Sequence, residues 1–261
     1  DLFISNKSPN SLLIETGISN LKFISSAGDN PGSANIDSER VKKIISFIKK
    51  LNVDTVILDL GPGTSFNVLD FFNISSHGLV MSSPETTSVM KTFSFIRSAL
   101  FRRMSRKLKN ISALQKLVDH SKPSSTDLET YNVTTLRENV KKIDQTQIEK
   151  IEEIINEFKP AIIINRVRSK KDLLAGDNLV NLVKKYLDVE LNYIGYIVES
   201  DKVRESVEDM VPFLIKNPQS KPSENLQQII GTLTNTDLHL VKEDGRIYVS
   251  KQVRLNSGWD A

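Results

Sequence analysis

The chain has no cysteine, and its three histidines, His77, His120 and His239, lie far apart in the sequence. These shortages exclude a disulfide framework, a thiol nucleophile and a thiol metal site, and they argue against a histidine-based metal centre or triad. No apolar run approaches the roughly 18 to 20 residues that span a bilayer. The sequence opens at Asp1 without a Met or a basic-then-apolar leader. We therefore expect a cytoplasmic location.

The sequence also lacks a large excess of charge of either sign. The 261 residues carry 35 basic and 32 acidic side chains, a formal net charge of +3. That balance is too small to indicate a nucleic-acid or membrane partner by itself. The apolar share of 39% is enough to build a core, and the length suits one large α/β domain or two small ones.

Short apolar runs alternate with amphipathic segments along most of the chain. Strand followed by helix with short connections is typical of parallel βαβ units. The pattern predicts an α/β fold, a doubly wound, mostly parallel sheet with helices on both faces, over residues 1–233. Residues 234–261 form a C-terminal extension with a small hairpin at 238–253. The predicted strands are 21–25, 53–59, 78–82, 161–165 and 191–197. The predicted helices are 38–51, 69–74, 89–104, 136–158, 171–187 and 224–233.

Residues 53–65 are the stretch around which the prediction is built. An apolar, β-branched run at 56–58 ends on Asp59 and is followed by Gly61, Pro62 and Gly63. A buried strand that ends on a carboxylate delivers a negative charge to the carboxyl edge of a sheet, where ligands bind in open α/β folds. Mg²⁺ is commonly held there through one or two carboxylates. The alternative is a buried strand that simply ends at a capped turn.

Four short motifs resemble the MinD/ParA family of P-loop ATPases, and within it the FlhG-like MinD relatives of bacteria. The match extends in order and spacing to about Leu233. The motifs are Val-Ile-Leu-Asp-Leu-Gly-Pro-Gly-Thr-Ser at 56–65, Pro-Glu-Thr-Thr-Ser at 84–88, Ile-Ile-Asn-Arg-Val at 163–167, and Gly-Tyr-Ile at 195–197 with Asp-Lys-Val at 201–203.

The resemblance implies a Mg-ATP site. Asp59 would be the Walker B carboxylate that helps hold Mg²⁺ through water, and Gly61 would approach the γ-phosphate. Asn165 would hydrogen-bond the adenine ring, although a polar cap on a buried strand explains this residue equally well. Pro84 and Glu85 would lie at the mouth of the site, where two nucleotide-bound subunits meet. The nucleotide-binding residues implied in this way are Gly61, Pro62, Gly63, Pro84, Glu85, Asn165 and Arg166.

The family's phosphate-binding loop is missing from the sequence. None of the eleven glycines is followed by Lys-Ser or Lys-Thr, so the backbone cradle and lysine that hold the β- and γ-phosphates are lacking. The strand with the family's water-activating Asp is missing too. We expect a shortened piece of a longer product, or another segment that fills the gap in the sheet.

The resemblance implies an ATPase that cycles between an ATP-held homodimer and a released monomer. Its cofactors would be ATP and Mg²⁺, and its protein partner would belong to a positioned structure such as a flagellar or polar assembly. Hydrolysis, a phosphoryl transfer to water, is expected of the family, whereas the missing lysine argues against it for this chain alone. The alternative is a non-hydrolysing scaffold that keeps the fold and binds a protein.

A basic cluster lies in and after the helix predicted at 89–104. Such a run is compatible with a peripheral membrane or nucleic-acid contact, but we expect a solvated helix face, which is the commoner explanation. Its members are Arg97, Arg102, Arg103, Arg106, Lys107 and Lys109.

Overall fold

The computed structural model describes residues 9–25, 38–75, 78–108 and 132–234, and the backbone of two strands at 236–243 and 246–253. The chain divides into two compact units, Asp1–Ser75 and Ser76–Ala261. Among the described helices, none combines the length and the apolar character needed to cross a membrane.

The described residues of the first unit form a 3-10 turn at Pro9–Leu12, two short strands and two helices. Strands β1 (Ile14–Glu15) and β2 (Lys22–Phe23) pair antiparallel. Helix α1 spans Ser38–Ile48 and helix α2 spans Phe66–Phe72. The side chain of Ser65 caps α2 by accepting from the Val68 N–H at 3.4 Å. The helices predicted at 38–51 and 69–74 are thus present, with shifted ends.

The strand predicted at 53–59 is wrong. Residues 51–60 are irregular, Ile57 is 86% exposed, and Val56 and Leu58 are exposed as well. A strand is stable only where a neighbour accepts its backbone hydrogen bonds. In the described part of this unit the other two strands pair with each other over two residues. An apolar, β-branched run therefore stays irregular here for want of a partner.

The second unit contains a parallel sheet of three strands in the order β3-β4-β5. Strand β3 spans Leu79–Ser82, β4 spans Ala161–Val167 and β5 spans Asn192–Val198. Strand β4 is central, and its first four residues are buried, as an apolar run in a sheet covered on both faces requires. The predicted α/β class with a parallel sheet is confirmed at this level.

Helices flank this sheet and complete the unit. A single helix predicted at 136–158 is wrong, because Asp144 separates a helix at Val133–Ile143 from a helix at Ile148–Glu157. The Asp144 carboxylate accepts from the Thr146 N–H at 3.0 Å and from its hydroxyl at 2.6 Å, a local bond that competes with helix continuation. The helices are α3 (Thr86–Lys107), α4 (Val133–Ile143), α5 (Ile148–Glu157), α6 (Leu174–Leu187), α7 (Asp201–Glu208), α8 (Phe213–Lys216) and α9 (Lys221–Thr234).

Helices pack on both faces of the sheet, and β5 carries a bulge. Ile162 pairs with Tyr193 and Ile163 pairs with Gly195, so one extra residue separates the two partners on β5. Ile163 and Ile194 belong to a cluster with Ile229 of α9. Tyr193 lies against α6 on the other face, as alternation of side chains along a strand requires.

Strand β3 has one neighbour, β4, among the described strands. Its side chains Leu79 and Met81 are 45% and 52% exposed. No charged residue interrupts β3, although edge strands are usually protected by charge or by a covering segment. The predicted sheet lacks the strand that leads into the family's phosphate-binding loop. Loss of a neighbouring strand would leave β3 with an exposed apolar edge of this kind.

The described chain ends in two antiparallel strands, β6 (Thr236–Glu243) and β7 (Arg246–Val253), with Glu243 opposite Arg246. This pairing agrees with the hairpin predicted at 238–253. Its turn residues, Asp244 and Gly245, and residues 254–261 lie outside the described part of the chain.

Candidate functional site

The carboxyl ends of the three parallel strands lie at the same side of the sheet, with β4 and β5 extending beyond the end of β3. Ser82 of β3 pairs with Ile164 of β4, and Ile164 pairs with Tyr196 of β5. The chain segments that leave the three strands therefore meet at one edge, the carboxyl edge of the sheet. The residues at this edge are 83–85, the last residues of β4 with Arg168, and 199–201.

The end of β4 is bent at Asn165 and Arg166. The register between β4 and β5 shifts between Ile164 and Val167, which marks a bulge. Arg166 occupies the left-handed region with φ of 61°, a conformation that costs a residue with a Cβ about 1 kcal/mol or more. The Asn165 side-chain oxygen Oδ1 accepts from the Arg166 backbone N–H at 2.9 Å. The kink thus carries its own local hydrogen bond.

Glu199, which directly follows β5, pairs with Arg166 near the end of β4 and with Arg168, which directly follows β4. Its Oε1 accepts from Arg166 Nε at 3.1 Å, from Arg166 Nη2 at 2.9 Å and from Arg168 Nη2 at 3.0 Å, and its Oε2 accepts from Arg168 Nε. The Glu199 N–H also donates to the Val167 carbonyl at 2.9 Å. Hydrogen bonds from Arg168 and then Arg166 lower the pKa of Glu199 from 4.5 to about 2. We call Glu199, Arg166 and Arg168 the Glu199 clamp.

Glu85 brings a second carboxylate to the same edge. Glu85 lies three residues after the end of β3 and directly before the first turn of α3. A hydrogen bond from Ser83 lowers its pKa most, and the charges of Arg166 and Arg168 lower it further. Glu85 therefore interacts electrostatically with Arg166 and Arg168. This interaction links the end of β3 to the end of β4.

Asp172 fixes the loop that follows β4. Its Oδ2 accepts from the backbone N–H of Arg168 at 2.8 Å and of Ser169 at 3.0 Å. These bonds, with that from Arg168 first, lower the pKa of Asp172. The loop enters a 3-10 turn at Lys170–Leu173 directly afterwards. Arg168 is thus tied by its backbone as well as by its side chain.

Four of the sequence-predicted site residues lie in the first unit. Asp59 is exposed on the irregular stretch, and Pro62 is exposed too. A Cβ at Gly61 would meet open space, whereas Gly63 has a φ of 102° that a side chain would strain. The structure therefore explains a glycine at position 63 by backbone conformation, and it leaves the surface beside Gly61 accessible.

The other predicted site residues lie in the second unit. Pro84, Glu85, Asn165 and Arg166 occupy the carboxyl edge of the sheet, on two neighbouring strand ends. The sequence prediction missed the clamp role of Glu199 and Arg168. The available signal was the position of these residues in the sequence. Glu199 comes shortly after one predicted strand, and Arg166 and Arg168 come shortly after the neighbouring one.

The described residues contain no group of three or more His, Cys, Asp or Glu side chains suited to a metal ion. A Mg²⁺ ion needs only one or two protein carboxylates, since it keeps several waters. The carboxylate of Asp59 is exposed and fits such a water-mediated contact. His77 and His120 lie outside the described residues.

The basic cluster is only partly a solvated face. Arg97 is buried, and Arg103 and Lys107 both pair with Glu157 of α5. Lys109 lies outside the described residues.

The chain matches no protein-family model, and no curated protein sequence matches it. The MinD/ParA resemblance therefore remains a prediction based on the four short motifs.

Proposed function

We propose that the chain is an adenine-nucleotide-binding protein of the MinD/ParA type, with the purine bound at the carboxyl edge of the sheet. The observation that carries this proposal is the convergence of Glu85, Asn165 and Arg166 at neighbouring ends of parallel strands. Ligands of open α/β sheets bind outside the carboxyl ends of the strands. Polar groups that converge on such an edge are typical of a small-molecule site.

Asn165 supplies the chemistry for a base. A side-chain amide carries an acceptor oxygen with two lone pairs and a nitrogen with two donors. One lone pair of Oδ1 is used by the Arg166 N–H. Among the described residues no other hydrogen bond of this amide is seen, which leaves the second lone pair and the Nδ2 donors for the edge of a purine. Asn165 is half-buried, which lets a ligand reach it from solvent.

For the first unit taken by itself, the resemblance would give Asp59 a water-mediated contact with Mg²⁺ and the backbone of residues 61–63 a contact with phosphate. Bound Mg²⁺ would supply charge neutralisation for phosphoryl transfer. A phosphate-loop lysine is lacking from the sequence. We therefore propose that this chain binds a nucleotide. We expect ATP hydrolysis only of proteins of the MinD/ParA type that carry this lysine.

The cellular role that follows is nucleotide-controlled pairing of two copies that positions a flagellar or polar assembly. Light scattering of the full chain with and without Mg-ATP tests this part. The expected result is a shift from monomer to dimer that requires the nucleotide. An unchanged mass at saturating Mg-ATP would contradict the pairing, and phosphate release measured in parallel would report hydrolysis.

A non-hydrolysing scaffold is the second candidate, because apolar side chains are exposed where a protein partner would cover them. Ile57 is the clearest case in the first unit, and Met81 is the clearest case on β3. Exposed apolar groups of this kind mark interaction surfaces. Nucleotide titration discriminates: the scaffold predicts no heat of binding for ATP or ADP, whereas the nucleotide-binding proposal predicts saturable binding of both.

A further inference from the structure

A methionine occupies a position at the end of α7 where glycine is the usual residue. The Met210 N–H donates to the Val207 carbonyl at 3.1 Å, and the Val211 N–H donates to the Ser206 carbonyl at 2.9 Å. These two bonds form the Schellman motif, which ends a helix with one residue in the left-handed conformation. That residue is Met210, with φ of 53°. Because a Cβ disfavours this conformation, glycine would suit the backbone better.

The Met210 side chain gives the fold little in return for this strain. It is 90% exposed, so it buries almost no apolar surface among the described residues. Strained residues persist where the surrounding structure holds them, and they are concentrated at binding and catalytic sites. An exposed methionine at a left-handed position therefore indicates that its side chain contacts a partner.

Met210 belongs to an exposed apolar patch at the end of α7 and on α8. The patch consists of Val207, Met210, Val211 and Ile215, and we call it the α7–α8 patch. Val207 is 73% exposed, and Val211 and Ile215 are exposed as well. The two helices contact each other, so the patch extends over a packed helix pair. Exposed apolar patches mark interaction sites, and the adaptable methionine side chain is common on surfaces that bind helices.

Carboxylates surround the α7–α8 patch. Asp209, next to Met210, pairs with Lys216 of α8. The hydrogen bond to Asp209 raises the pKa of Lys216 most, and the charges of Glu205 and Glu208 raise it further. Three carboxylates thus lie near one ammonium group. This part of the surface carries a local excess of negative charge.

A partner that matches this surface needs both apolar side chains and positive charge. The two basic residues of α7, Lys202 and Arg204, lie in its first half, and Arg204 is paired with Asp201. An amphipathic helix with basic residues beside its apolar face supplies both features, and such helices dock on apolar surfaces through side chains three and four residues apart. The same carboxylates would repel an anionic membrane surface.

We propose that the α7–α8 patch is a docking site for a basic amphipathic helix of a partner protein, with Met210 as the principal apolar contact. The inference goes beyond nucleotide binding and does not depend on it, since the patch lies at the far end of α7 from the strand that leads into this helix.

Met210→Gly separates binding from folding. It removes the apolar side chain and relieves the left-handed strain, so the midpoint of chemical denaturation should stay equal or rise. Met210→Leu is the matched control, because it keeps an apolar side chain of similar volume. A midpoint lowered by Met210→Gly would show that the methionine stabilises the fold, and the inference would then fail.

The binding probe is a synthetic helical peptide of about 18 residues with leucine on one face and lysine on the other. Fluorescence anisotropy of the labelled peptide measures its binding to the full chain. We expect saturable binding to the wild type, an affinity lower by about fivefold or more for Met210→Gly, and nearly wild-type affinity for Met210→Leu. A peptide with glutamate in place of lysine should bind at least about fivefold more weakly. No saturable binding, equal affinity for Met210→Gly, or equal binding of both peptides would overturn the inference.

Oxidation by hydrogen peroxide locates the contact. Peroxide converts exposed methionine to the sulfoxide, and mass spectrometry of the digested chain reports each methionine separately. The lysine peptide should slow the oxidation of Met210 several-fold and leave that of Met81, which is exposed on β3, unchanged. Oxidation of Met210 that the bound peptide does not slow would place the contact elsewhere and contradict the inference.

Two other occupants of the patch give different results. If a second copy of the chain covers it, light scattering without peptide will show self-association of the wild type that Met210→Gly abolishes. If a lipid surface covers it, the wild type will sediment with phosphatidylcholine vesicles and Met210→Gly will not. Either result would replace the basic helix as the occupant and overturn the inference.

Discussion

A Cβ placed on Gly195 would lie 2.8 Å from Cγ1 of Ile229. Gly195 is the β5 residue at the bulge, and its φ of 146° is one that side chains rarely adopt. Ile229 is buried on α9 and packs with Ile163 and Ile197. The missing side chain at position 195 is therefore what lets α9 approach the sheet, close to the strand end that carries Glu199.

Gly195→Ala should destabilise the second unit by about 2 kcal/mol or more, because it adds backbone strain to a steric overlap. Chemical unfolding monitored by circular dichroism measures the change. The overlap predicts that Gly195→Ala has a smaller effect in an Ile229→Ala background. Gly61→Ala, where a Cβ meets open space, is the control and should change stability by less than about 0.5 kcal/mol. Equal effects in both backgrounds would contradict the close approach.

The stabilising effect of Glu199 should disappear in acid. The folded-state pKa is lowered from 4.5 to about 2, so the carboxylate stabilises the fold fully above pH 4.5 and loses this effect as the pH falls toward 2. The difference in Tm between wild type and Glu199→Gln should therefore be largest near neutral pH and shrink to nothing near pH 2. Glu190→Gln, which removes an exposed partner of Lys159, is the control and should change Tm less. A difference that does not vary with pH would contradict the clamp.

Arg137 joins three helix segments through one guanidinium. Its Nε and Nη2 donate to the two Glu152 oxygens, both at 2.6 Å, and Nη2 also donates to Asp188 Oδ2 at 2.9 Å. The bond to Glu152 is the main reason that the pKa of Arg137 is raised. Arg137→Lys keeps the charge but loses the bidentate geometry, and we expect it to destabilise the fold by about 1 kcal/mol.

Arg137→Ala should destabilise by about 2 kcal/mol, since Glu152 loses a bidentate partner and Asp188 keeps only its bond with Lys184. Thermal unfolding measures both changes. Lys141→Ala, at an exposed position of the same helix, is the control and should have little effect. If Arg137→Lys were as stable as the wild type, the paired geometry would contribute nothing beyond charge.

Arg97 should be replaceable by an apolar residue with a gain in stability. It is only 3% exposed, and within the described part of the chain its Nε and Nη1 have no hydrogen-bond partner. Burial lowers its pKa, and its guanidinium lies 5.9 Å from the centre of the Phe93 ring. Replacing a buried, incompletely paired charge by an apolar residue is often stabilising. We expect Arg97→Met to raise the free energy of unfolding by about 1 kcal/mol.

Chemical denaturation compares Arg97→Met with Lys91→Met, an exposed position on the same helix. The Lys91 variant should be close to neutral. A loss of stability in Arg97→Met would mean that the contact with Phe93 outweighs the unpaired donors.

The parallel sheet of the second unit is predictable from sequence because its strands are buried. Ala161 to Ile164 form an unbroken apolar run, which is what a strand covered on both faces carries. Residues 56–58 have the same character, yet they are irregular and exposed. The difference lies in the presence of a neighbouring strand, which is a long-range property that a local run does not encode.

The sequence predicts only those residues of the candidate site that follow a recognisable strand. Asn165 and Glu85 each follow an apolar run, so their place at the edge can be read from the sequence. The left-handed backbone of Arg166 cannot, because arginine shows no preference for that conformation. The clamp was missed because Glu199 is 33 residues from Arg166 and 31 from Arg168, and their pairing depends on the order of the strands.

The most direct test of the central claim is calorimetric titration of Mg-ATP into the full chain and into Asn165→Ala. The account predicts saturable binding to the wild type that is weaker by about tenfold in the variant, since a base-edge hydrogen bond to a buried ligand contributes on the order of 1 to 2 kcal/mol. Glu190→Gln, remote from the strand ends that form the site, should bind as the wild type does. No saturable binding, or equal affinity in wild type and Asn165→Ala, would contradict a nucleotide site at the carboxyl edge of the sheet.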